Sequence, residues 1–103
     1  MSEFGTYALA AGVNTVICEN TTLGKILTLT FNILNRTNAG INFTVAVSTT
    51  TSPVDGQFIE DLILPGKSVL ERAGIVLRYG QKIIANAEST GVNAVTWGVI
   101  SYE

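Results

Sequence analysis

Apolar and polar residues alternate along two stretches in the first half of the chain. In KILTLTFNILN, residues 25–35, Leu27, Leu29, Phe31 and Ile33 fall on one side, while Thr28, Thr30 and Asn32 fall on the other. In INFTVAV, residues 41–47, Ile41, Phe43, Val45 and Val47 oppose Asn42 and Thr44. Successive side chains of a strand point to opposite faces, so a period of two over this length predicts strands with one buried and one wet face. Between them lies NRTNAG, rich in turn formers. The two strands are therefore expected to pair as an antiparallel hairpin.

The rest of the chain follows the same logic. YALAAGVNTVICEN, residues 7–20, gives one or two strands broken at Ala11-Gly12. STTTSPVDGQ is the longest loop segment, with Pro53 and Asp55-Gly56 marking a turn. The segments FIEDLIL, SVLER, IVLR, KIIANAE and AVTWGVISYE then read as strands, separated by Pro65-Gly66, Gly74 and Tyr79-Gly80-Gln81 among other turn signals. In the last segment Val95, Trp97 and Val99 share a face, and Trp97, set among these valines, is expected in the core. Gly98 on the opposite face marks a bulge or a close approach of another backbone. Ser68 and Glu71 have the spacing of a helix capping box, but Gly74 and the β-branched Val69, Ile75 and Val76 favour strand. The expected fold is all-β: a single compact antiparallel β-sandwich of about seven to nine strands over residues 1–103.

Composition narrows the function. Of 103 residues, 47% are hydrophobic and only 14% charged, so Thr, Asn, Ser and Gly must solvate much of the surface. Charge keeps proteins apart in solution, and its scarcity points to a subunit that ends against a partner, a homo-oligomer included. The six basic residues, Lys25, Arg36, Lys67, Arg72, Arg78 and Lys82, are scattered singly, and the net charge is −2. No basic patch for nucleic acid is visible. No apolar run approaches the length of about 20 residues that a membrane helix needs, and MSEFGTYALAAG does not read as a secretory signal. The single cysteine, Cys18, allows no internal disulfide and reads as a small hydrophobe on a strand.

Candidate chemistry is sparse. The chain has no histidine, which removes the commonest general base and most zinc sites. Glu60 and Asp61 are adjacent, so on a strand they point to opposite faces and cannot act as a pair. Asp55 lacks a calcium loop around it, and LPGKS lacks the leading glycine and the helix of a phosphate-binding loop. Three Asn-x-Thr triplets, starting at Asn20, Asn35 and Asn42, match the glycosylation pattern but are expected by chance in a chain this rich in Asn and Thr. Among the aromatics, Phe31, Phe43 and Trp97 are expected in the core, and Tyr79 and Tyr102 on the surface. No catalytic, cofactor-binding or metal-binding residue is assigned, and the protein is expected not to be an enzyme.

The order of segments resembles a group of small β-sandwich virion structural proteins of tailed bacteriophages. The resemblance is carried by LTLTFNILNRT with Asn35-Arg36, FTVAV, the polar turn LPGKS, the Gly74, Ile75 and Leu77 core, YGQKIIANAEST and the closing VNAVTWGVISYE. It covers nearly the whole chain. It implies a non-enzymatic subunit of the particle, a capsid decoration or cement protein or a neck or tail accessory, made in the host bacterial cytoplasm and partnered by shell, neck or tail proteins. Residues 1–8 and the STTTSPVDGQ loop are the expected contact segments. The alternative is a carbohydrate-binding module of a receptor-binding fibre, with Tyr79 and Gln81 as the leading pair for a glycan.

Overall fold

The computed structural model of the protein describes residues 4–102. Eight strands and one short 3-10 turn follow in order: β1 (Gly5–Ala8), β2 (Thr15–Glu19), β3 (Lys25–Asn35), β4 (Ile41–Ser48), the turn Asp55–Gln57, β5 (Phe58–Leu64), β6 (Val69–Leu77), β7 (Lys82–Ala87) and β8 (Val92–Tyr102). They form two four-stranded sheets, ordered β1-β8-β3-β6 and β2-β7-β4-β5, and every strand pairing is antiparallel. The expected all-β sandwich is what the chain forms.

The alternating stretches set the core. Leu27, Leu29, Phe31 and Ile33 of β3 are buried and pack with Phe43 and Val45 of β4, Ile83 and Ala85 of β7, and Ile17 of β2. Fully burying one such large side chain contributes about 1.5–3 kcal/mol, and two sheets meeting face to face exclude water from all of them at once. Cys18 lies in the same core, fully buried.

Two expectations about connectivity change. The strands at 25–35 and 41–47 are not a hairpin: β3 pairs with β6 and β8, whereas β4 pairs with β5 and β7. The intervening loop carries the chain from one sheet to the other. SVLER and IVLR are not separate strands either, but one strand, β6, with a register shift opposite Leu29–Phe31. Gly74 takes φ 76° there, a left-handed conformation that glycine adopts without steric cost, so the glycine makes a bulge rather than an end.

Two buried asparagines lock the crossings. Asn35 is fully buried at the end of β3. Its Nδ2 donates to the carbonyls of Ala39 (2.8 Å), Leu64 (2.9 Å) and Pro65 (3.1 Å), and its Oδ1 accepts from Thr37 N–H (2.9 Å) and Thr37 Oγ1 (2.8 Å). At the opposite end Asn20 repeats the device. Its Nδ2 donates to the Lys25 and Leu77 carbonyls (2.6 and 3.0 Å), and its Oδ1 accepts from Thr22 N–H (3.1 Å). Each side chain caps its own turn and ties it to a strand of distant sequence, satisfying backbone groups that burial would otherwise leave unpaired.

The two outer faces differ. On the β2-β7-β4-β5 sheet, Asn14 Nδ2 donates to the Thr51 carbonyl (2.9 Å), and Asn86 Nδ2 of β7 donates to Asn14 Oδ1 (2.7 Å). The loop after β4 is thus tied back to one end of this sheet, where Ala46 and Ile84 are buried, while Asn42, Asp61 and Ile63 at the other end stay exposed. Nothing among the described residues covers the outer face of the β1-β8-β3-β6 sheet.

Candidate interaction surface

On that bare face the phase of β8 is the reverse of the sequence expectation. Trp97 is not core: it is 44% exposed, and Val95 and Val99 beside it are exposed too. The inner positions belong to Ala94, Thr96 and Gly98. Thr96 is buried and its Oγ1 donates to the Ile17 carbonyl across the sandwich (3.3 Å), so the polar residue is satisfied where the bulkier tryptophan would have displaced β2. Gly98 behaves as expected of a strand glycine: a Cβ there would lie 2.1 Å from the Thr28 carbonyl oxygen and 2.7 Å from the Leu29 Cα of β3. β8 therefore lies close on β3 and turns its large side chains to solvent.

The register defines the resulting surface. Thr28 of β3 sits between Val99 of β8 and Val76 of β6, Thr30 is opposite Trp97, and Asn32 lies between Val95 and Glu71. The face is a stripe of valines and one tryptophan set among threonines. Exposed apolar area grouped in this way marks contact surfaces more than scattered single residues do. From Trp97 to Tyr102 every residue of β8 is exposed, on both faces of the strand.

The candidates for chemistry are not brought together. Among the described residues no cluster of three His, Cys, Asp or Glu could hold a metal ion. Glu60 turns toward Arg72 of the other sheet and forms an ion pair across the open side of the sandwich, while Asp61 points away and is exposed. Glu19 pairs with Lys82 at 3.3 Å. Each is a structural contact. The depression beside β1, about 350 Å³, is lined by Thr6, Tyr7, Ala8, Asn93, Ala94 and Val95 and holds no charged group. Burial, and secondarily the Cys18 thiol, push the Tyr7 phenol above its ordinary value, so it stays protonated and is no base.

Tyr79 is exposed as expected, but Gln81 is committed to its own turn, its Oε1 accepting from Arg78 N–H (2.7 Å). In the Asn20 and Asn35 triplets the asparagine is buried and its oxygen accepts from the N–H two residues on, that of Thr22 or Thr37, and only at Asn35 does the Thr hydroxyl add a bond. Of the expected contact arm, residues 5–8 are β1, paired with β8, and Phe4 and Tyr7 pack against the core. This part is more committed to the fold than its sequence suggests; residues 1–3 lie outside the described residues. The sequence matches no protein-family model and no curated relative.

Proposed function

We propose that the chain is a non-enzymatic structural subunit acting through protein–protein contacts, and that its place is the particle of a tailed bacteriophage. The observation that carries the contact reading is the outer face of the β1-β8-β3-β6 sheet, with Val76, Val95, Trp97 and Val99 exposed together, whereas on the opposite sheet Ala46 and Ile84 are buried and the exposed positions include Asn42 and Asp61. A rigid sandwich tied at both ends by buried asparagines suits a subunit that must keep one face in fixed shape, since preorganised surfaces lose little entropy on association. The phage setting rests on the order of strand and turn segments, from LTLTFNILNRT to the closing VTWGVISYE. The carbohydrate reading is not favoured, because the side-chain oxygen of Gln81 is already used within its turn.

The test is quantitative mass spectrometry of purified particles of the phage that encodes the chain, with copy number taken relative to the main shell protein. A ratio near that of the shell protein makes it a decoration or cement subunit, and a few copies make it a neck or tail part. Absence from the particle overturns the reading.

A further inference from the structure

We infer that Arg36 and Lys67, brought together at the Asn35 end of the sandwich, form a docking point for the carboxylates of an acidic segment on a partner protein. The inference rests on the reading that the chain works through protein–protein contacts, and it names the chemistry of one partner.

The two cations lie 31 residues apart in sequence, and the fold joins them: Lys67 Nζ donates to the Arg36 carbonyl (2.6 Å), and Lys67 N–H donates to the Thr37 carbonyl (2.9 Å). The loops that carry them are packed against each other. A Cβ on Gly66 would lie 2.5 Å from the Asn38 carbonyl, and one on Gly91 would lie 2.5 Å from Thr37 Cγ2. Arg36 N–H donates to the Gly91 carbonyl (2.8 Å), and the buried amide of Asn35 binds the first two loops from within. Three loops thus make a preorganised platform, and both cations on it are exposed.

Their charge is unanswered. Arg72 pairs with Glu60 and Lys82 with Glu19, and the carboxylate of Glu88 accepts from Asn42 Nδ2. Neither Arg36 nor Lys67 has a carboxylate partner among the described residues. The Arg36 carbonyl takes one of the three donors of the Lys67 ammonium. Two like charges gathered without a counter-ion repel one another.

The backbone adds a second, independent observation. Lys67 takes φ 57° and is the one non-glycine residue with positive φ among the described residues. Ser68 N–H donates to the Pro65 carbonyl (3.2 Å) and closes a four-residue turn with Lys67 at its third place, where a positive φ calls for glycine or asparagine. A turn built for stability alone would carry one of those two. Strained residues that persist in a native state cluster at functional positions. Lysine stands here at a backbone cost and beside a like charge, which points to a use for its ammonium outside the fold.

Carboxylate is the anion that fits. Two cations on a chain of net charge −2 suit one or two carboxylates, whereas a nucleic-acid backbone is held by a patch or stripe of cations. The guanidinium offers parallel N–H groups to a carboxylate, and the lysine adds a point charge.

Titration of the full chain with a capped tetraglutamate peptide, followed by amide chemical shifts, tests this, with inorganic phosphate and a short single-stranded DNA run in parallel. The expected result is a saturable shift at residues 36–38 and 66–68, with affinity falling about fivefold or more between about 20 and 200 mM salt. Arg36→Gln and Lys67→Asn should each weaken binding about fivefold or more. Lys67→Asn should hold Tm within about 3 °C, because asparagine accepts the turn conformation. Lys82→Gln, at the other end of the sandwich, should change binding by no more than about twofold. No saturable shift at these amides overturns the inference, as does binding indifferent to both variants. A stronger response to phosphate or DNA also overturns it and makes the pair a phosphate site. Peptide binding by a chain absent from particles would spare this site and sink the proposed function; a chain present in particles that binds no peptide would do the reverse.

Discussion

Replacing Asn35 with alanine should be among the most damaging single changes in this protein, although in the sequence the residue would pass for a loop asparagine. Five hydrogen bonds converge on its amide. The loss is not five bonds, because some partners keep others. The Pro65 carbonyl still accepts from Ser68 N–H at 3.2 Å, and the Ala39 carbonyl still accepts from the Thr37 hydroxyl at 3.0 Å. The Leu64 carbonyl and the Thr37 N–H lose their Asn35 partner. Each buried polar group left unpaired costs about 1–3 kcal/mol, and water entering at the end of the sandwich recovers part of it. A loss of about 3 kcal/mol is the expected sum, a large share of the roughly 5–15 kcal/mol typical of a domain. At this chain length it lowers Tm by roughly 12–24 °C. Urea unfolding with thermal denaturation measures both quantities, with Asn38→Ala, an exposed neighbour in the same loop, changing stability by no more than about 0.5 kcal/mol. An Asn35→Ala loss as small as that of Asn38→Ala would refute the claim that the buried amide holds the sheet crossing.

Other sites give further expectations. Gly98→Ala places a methyl group 2.1 Å from the Thr28 carbonyl, so β8 must move off β3. A destabilisation of about 1–3 kcal/mol is expected by urea unfolding. Trp97→Ala should cost about 1–2 kcal/mol in dilute solution because the ring is 44% exposed, whereas Phe31→Ala in the core should cost about 3–5 kcal/mol. Arg72→Ala should lose about 1–2 kcal/mol, because Arg72 is 44% exposed but the Glu60 carboxylate it leaves unpaired is only 17% exposed. The raised pKa of Tyr7 means that the folded state holds this proton more tightly than the unfolded chain. Its stabilising contribution is full below the ordinary tyrosine value, about 10, and fades as pH rises past it; Tyr7→Phe should remove that part of an alkaline stability profile.

The sequence made the strands legible and their neighbours much less so. A period of two in β3 and β4 reports which side chains face inward, and Leu27, Leu29, Phe31, Phe43 and Val45 are buried accordingly. It carries no information on which strand lies alongside. A short polar loop suggested a hairpin, while the amide of Asn35 turns the chain into the opposite sheet. In β8 both faces carry apolar residues, and the valines that share a face with Trp97 pointed it to the core. The deciding facts are tertiary: the Ile17 carbonyl awaits the Thr96 hydroxyl, and β3 lies too close for anything but glycine at position 98. The interaction surface was illegible for the same reason, since an exposed valine stripe and a buried one have the same pattern. The isolated carboxylates and the absent histidine were readable at once.

The most direct measurement is a competition within the particle. Wild-type chain and Val99→Lys would be supplied at equal levels during phage growth, and their ratio in purified particles read by mass spectrometry of the peptide spanning residue 99. The proposed contact face predicts particles strongly enriched in the wild-type chain, since Val99 is 66% exposed at its centre. Equal incorporation would contradict the assignment of that surface, and particles containing neither form would contradict the structural role itself.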